Sequence, residues 1–102
     1  MSLWRRPFAD LVRRQLDLFA EDEAALLAEA READVAWQRT GRDDAEEAYG
    51  DWQLIADGLG ERLLDFRETY VATLDEGAVD AYRRSFGKAA AKRFPHFAGL
   101  LD

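Results

Sequence analysis

The run DDAEEAYGDWQLIADGLGERLLDFRETYVATL, residues 43–74, decides the class of fold. Within it Ala45, Ala48, Tyr49, Trp52, Ile55, Ala56, Leu59, Leu63, Phe66, Tyr70 and Leu74 return at three- and four-residue steps, the repeat of one face of an α-helix. Unbroken over 43–74, such a helix would be about 48 Å long at 1.5 Å per residue. Gly50, Gly58 and Gly60 fall inside it, and each costs about 1 kcal/mol relative to alanine in a helix interior. The apolar phase holds across them, which predicts one helix, either bent at the glycines or closely approached there by a neighbour.

Toward the N-terminus, Pro7 suits a first helical turn, and Phe8, Leu11, Val12, Leu16, Leu18 and Phe19 follow at helical spacing. Leu26, Leu27, Ala30, Ala33 and Trp37 continue at nearly the same phase until Thr40 and Gly41. Asp22 would lie on the apolar stripe of a continuous helix, and aspartate is a good N-cap. A break or bend is therefore expected near 20–22. Gly41 to Asp44 read as a turn whose aspartates can cap the long helix, and 7–40 is long enough to pair with it as a hairpin. Toward the C-terminus, Asp75 and Glu76 open a helix with Val79, Tyr82, Phe86, Ala89 and Ala90 on one face, ending before Pro95. Phe97, Leu100 and Leu101 give the tail apolar anchors for docking on the core.

The composition agrees. In 102 residues there are two prolines and seven glycines, with 48% hydrophobic and 12% aromatic side chains, enough for a single modest core. The expectation is one all-α domain over 1–102, a three- to four-helix antiparallel bundle with a long central helix over about 43–74. There is no cysteine, which excludes disulfides and thiolate metal sites. Residues 1–7 are not followed by the apolar core of a signal peptide, and no run reaches the roughly 20 apolar residues of a membrane span. The expected setting is the cytoplasm, without a membrane partner.

Charge is distributed unevenly within a net −7. Residues 1–14 carry four arginines against one aspartate, 15–79 carry five basic against eighteen acidic side chains, and 80–97 carry five basic against one acidic. Either the basic ends fold back beside the acidic middle, or copies of the chain meet head to tail. The acidic total makes nucleic acid an unfavourable partner.

Catalytic chemistry finds little purchase. A di-iron or di-manganese bundle needs a Glu-x-x-His step on each of two helices, and the single histidine, His96, follows a proline in the tail. Glu61, Asp65 and Glu68 share a face turned away from the core positions, as do Asp44, Glu47 and Asp51. No hydroxyl can be matched to a second histidine as base. Gly58-Leu59-Gly60 lacks the strand and the further glycine of a dinucleotide loop. The expectation is a non-enzymatic protein without cofactor or metal.

Two constellations stand out. Trp4, Phe8, Phe94 and Phe97, rimmed by Arg5, Arg6, Lys92 and Arg93, have the composition of an interaction surface, or of a small satellite core. Gln15, Asp34 and Arg93 are polar residues on apolar stripes; they either sit at rims or line a polar pocket that would orient a small ligand beside Trp37 and Trp52. The order of helix, glycine turn and helix from Ala36-Trp37 through Gly41 to Ala48-Tyr49 resembles a tetratricopeptide repeat. However, the Leu-Gly pair is missing, the turn-to-alanine spacing differs, the second helix is too long and no second copy follows. No family is assigned. The leading functional expectation is an interaction module that forms a homodimer or binds another helical protein; a ligand-binding or enzymatic bundle comes second and a nucleic-acid-associated regulator third.

Overall fold

A computed structural model describes residues 8–101. Four α-helices follow one another, α1 (Ala9–Asp22), α2 (Ala24–Arg39), α3 (Ala45–Val71) and α4 (Glu76–Arg93), and a 3₁₀ turn over Ala98–Leu101 closes the chain. The described residues contain no strand. The long central helix is thus present, three residues shorter at its C-terminal end than the 43–74 reading and unbroken through its glycines. At Gly50 and Gly58 nothing lies within 4 Å of where a Cβ would stand, so neither position serves close approach of a neighbour.

The expected break in the first hairpin arm occurs at Glu23, one residue beyond the predicted span (φ −106°, ψ 23°). It is slight. The Glu23 amide still donates to the Phe19 carbonyl at 2.9 Å and the Leu27 amide to the Glu23 carbonyl at 2.9 Å, so helical hydrogen bonds reach Glu23 from both sides. Asp22 ends α1 and does not cap α2 with its side chain. Asp44 and Asp75 stand at the N-caps of α3 and α4, where their side chains make no cap hydrogen bond either.

Because α1 and α2 follow one another along α3, with Phe19 on Phe66, Glu23 on Arg62 and Trp37 on Trp52, the four helices make only three rods. Glu23 meets Arg62, while Trp37 meets Tyr49 and Trp52, which sets α2 antiparallel to the first half of α3. Tyr82 lies beside Tyr70 and Phe86 beside Phe66, which sets α4 antiparallel to the second half of α3. Gln15 reaches Tyr82 and Phe19 reaches Phe94, so α1 and α4 run parallel. One end of the molecule is therefore a three-rod bundle, and the other a two-rod arm. The molecule measures 54 × 27 × 22 Å with a radius of gyration of 16.0 Å. A compact domain of this size would be near 13 Å.

The core cluster lies in the three-rod end, and Ala56, nearer the arm on α3, is buried as well. Val12, Leu16 and Phe19 from α1, Leu59 and Leu63 from α3, and Tyr82, Phe86 and Ala90 from α4 are fully or almost fully buried. The tail docks as its apolar residues suggested: Ala98 and Leu101 are buried, and Arg67 donates from Nη1 to the Leu101 carbonyl at 3.1 Å. By contrast, α2 has no buried residue.

Candidate functional site

Where α4 stops, the third rod stops with it. Pro95 cannot extend the helix, and the chain turns back into the 3₁₀ segment on α3 and α4. This leaves a step, and in its inner corner lies a pocket of about 330 Å³ between α2, α3 and residues 93–97. Ala20, Ala30 and Ala56 supply small side chains where helix surfaces would otherwise fill the space, and Trp52, Phe94 and Phe97 supply aromatic walls. Four ionisable groups border it, namely Arg31, Asp34, Arg93 and His96.

Two of the three polar stripe residues thus meet at one pocket, with Trp52 beside them. Asp34 is half-buried, and its Oδ1 accepts from Trp37 Nε1 at 3.0 Å and from Gln38 Nε2 at 2.9 Å. Trp37 therefore holds Asp34 from its own helix and does not line the pocket. Arg93 is exposed; its guanidinium is ion-paired with Asp17 and stands 5.7 Å from the centroid of the Phe94 ring. Gln15 belongs elsewhere. It lies in the three-rod end, where its Oε1 accepts from the Tyr82 hydroxyl at 2.7 Å.

An aromatic ladder runs from the arm into the corner. Trp37 packs edge-on to Tyr49 at 5.1 Å between centroids, Tyr49 meets Trp52 at 5.5 Å, and His96 stands edge-on to Trp52 at 6.0 Å. These separations are those of favourable aromatic pairs. His96 is an exposed tail residue whose ring abuts the Trp52 indole, a placement that sequence spacing could not signal because 44 positions separate them.

The aromatic–basic end patch is only partly assembled. Trp4, Arg5 and Arg6 lie outside the described residues. Phe8 packs edge-on to Tyr82 near the start of α4, whereas Phe94 is buried against Phe19 and stacked with Phe97 at 5.1 Å. Phe8 and Phe19 are eleven positions apart, roughly 16 Å along a helix, so Phe8 does not join Phe94 and Phe97. Parallel packing of α1 on α4 separates what a shared chain end suggested. Phe94 belongs to the main core and not to a separate cluster of chain-end aromatics, and Lys92 and Arg93 are exposed beside it.

The basic C-terminal helix divides by face. Arg83 forms a bidentate ion pair with Glu68, which also accepts from Arg67 Nε at 2.7 Å, and Arg93 pairs with Asp17. The Arg83 guanidinium, with Arg67 behind it, holds the Glu68 carboxyl down at about 2 against partial burial. On the opposite face Arg84, Lys88 and Lys92, spaced four apart, are exposed and form no ion pair among the described residues. The fold-back reading therefore holds for part of the basic helix, through Arg83 and Arg93, while Arg84, Lys88 and Lys92 face outward. Arg67, buried between α3 and the tail, is a polar anchor that went unread, although its step of four from Leu63 puts it on the core face.

The described residues contain no group of three or more His, Cys, Asp or Glu side chains able to hold a metal ion. No described helix is long and apolar enough to cross a membrane. Comparison with protein-family models, with curated proteins and with solved structures gave no match.

Proposed function

We propose that the chain is a non-enzymatic helical interaction module that works as an antiparallel homodimer, the two-rod arm of each copy lying against the outer face of α4 of the other. The observation that carries this reading is the step. One half of the molecule is three rods thick and the other two, and α2, which forms the thin half with α3, has no buried residue. A two-fold rotation sets the thick half of one copy over the thin half of the next, and such an isologous pairing satisfies both contacts and closes at two chains.

Charge favours the same arrangement. Residues 24–57 carry nine carboxylates against three arginines, while the outer face of α4 presents Arg84, Lys88 and Lys92. Arm against arm would bring like charges together; arm against α4 brings opposite ones. Val35 and Tyr49 on the arm are 45% and 42% exposed and Leu54 is 74% exposed, apolar area that a partner would remove from water. A net charge of −7 disfavours nucleic acid as that partner.

Sedimentation velocity over a range of protein concentrations and salt levels tests the proposal. A dimer is expected at low salt, weakening as salt screens the arm from α4. Lys88→Glu, on an exposed position that leaves the core untouched, should weaken the dimer about tenfold or more. A monomer at all concentrations in low salt, or a dimer indifferent to Lys88→Glu and to salt, overturns the antiparallel arrangement.

A further inference from the structure

The corner pocket carries an inference that does not rest on self-association, because a single chain supplies all of its walls. We infer that it binds a small aromatic molecule carrying both an ammonium and a carboxylate group, as an aromatic α-amino acid does. Its volume, about 330 Å³, lies at the small end of the range for ligand sites. Three alanines leave the room, and Trp52 with Phe97 offers ring faces and edges against which a second aromatic ring can stack. The Trp52 indole itself packs against both Tyr49 and His96.

The charged groups at the rim point to a zwitterion. Arg31 and Asp34 stand one helical turn apart on α2 and both border the pocket, yet neither is in an ion pair among the described residues. Oppositely charged side chains at that spacing commonly pair with each other. Here Asp34 Oδ1 is drawn to the Trp37 and Gln38 donors instead, which leaves its Oδ2 for a ligand ammonium. The Arg31 guanidinium is left for a ligand carboxylate, which it can take through two N–H donors. Arg93, already paired with Asp17, closes the rim and is not the principal ligand contact. An anion alone would meet the Asp34 charge, and a cation alone would meet Arg31; a molecule bearing both charges satisfies the two at once.

Three matched probes separate these cases: phenylalanine, 3-phenylpropionate, which lacks the ammonium, and phenethylamine, which lacks the carboxylate. Binding is followed by the indole N–H resonances of Trp37 and Trp52, since the Trp37 N–H is hydrogen-bonded to Asp34 and Trp52 forms a wall. Phenylalanine should shift both resonances saturably and bind about tenfold tighter than either truncated probe. Arg31→Gln should remove the advantage over phenethylamine, and Asp34→Asn the advantage over 3-phenylpropionate. Absence of a saturable shift at millimolar phenylalanine, equal binding of all three probes, or indifference to both substitutions would overturn the inference. Repeating the titration on the Lys88→Glu chain reads ligand binding separately from self-association.

Discussion

Tyr82 shows how much of the three-rod end depends on single side chains. Its ring is fully buried against Phe8, Tyr70 and Phe86, and its hydroxyl donates to Gln15. Burial pushes its pKa up to about 12. Since the folded state holds the proton more tightly than the unfolded chain, the corresponding stability is complete below pH 10 and is lost as pH rises toward 12. Tyr82→Phe should cost about 1 kcal/mol in denaturant unfolding at neutral pH, because Gln15 loses its donor, and should remove that alkaline loss. Gln15 was legible as a polar residue on an apolar stripe. Its partner was not, because periodicity places a side chain on a face without saying which residue 67 positions away will meet it. Glycines err in the opposite direction: Gly58 suggested a bend or a close approach, whereas α3 continues through it and nothing lies within 4 Å of where its Cβ would stand. Gly58→Ala should therefore raise stability by about 0.5–1 kcal/mol, read as a higher denaturant midpoint with unchanged slope.

Elements were read more surely than contacts. The 43–74 stretch shows its helix because the apolar residues keep phase over many turns, whereas the junction at Glu23 is weakly marked because helical hydrogen bonds reach it from both sides. Arg67 went unread for a related reason. A charged residue on a core face looks like a phase error until the tail carbonyl that it binds is known. The pairing of α3 with α4 through Glu68 has its own pH signature. With its folded pKa lowered to about 2 by Arg83 and then Arg67, Glu68 contributes stability that is present above the ordinary glutamate pKa of about 4.5 and is lost as pH falls toward 2. The site is a third exposed, so solvent screening holds the contribution to roughly 1 kcal/mol. Glu68→Gln should be less stable than the parent chain at pH 7, and the two should converge near pH 2 in parallel urea titrations.

At the scale of the molecule, burial is as unevenly distributed as charge. The core cluster of α1, α3 and α4 belongs to the three-rod end, while α2 is held to α3 by half-buried apolar contacts and by the ladder of Trp37, Tyr49 and Trp52. Two rods remove less apolar area from water per residue than three, so the arm should open without the bundle unfolding. Amide hydrogen exchange reads this directly. In the monomeric state, taken as high salt or the Lys88→Glu chain, amides of 26–38 should exchange at least tenfold faster than those of 12–19 and 82–90. If α4 of a second copy covers the arm, the same 26–38 amides should slow on dimer formation while the core amides, already protected, change little. Equal protection of arm and core in the monomer would mean that α2 draws stability from contacts other than burial. Slowing confined to the three-rod end on association would place the partner there and leave the step open.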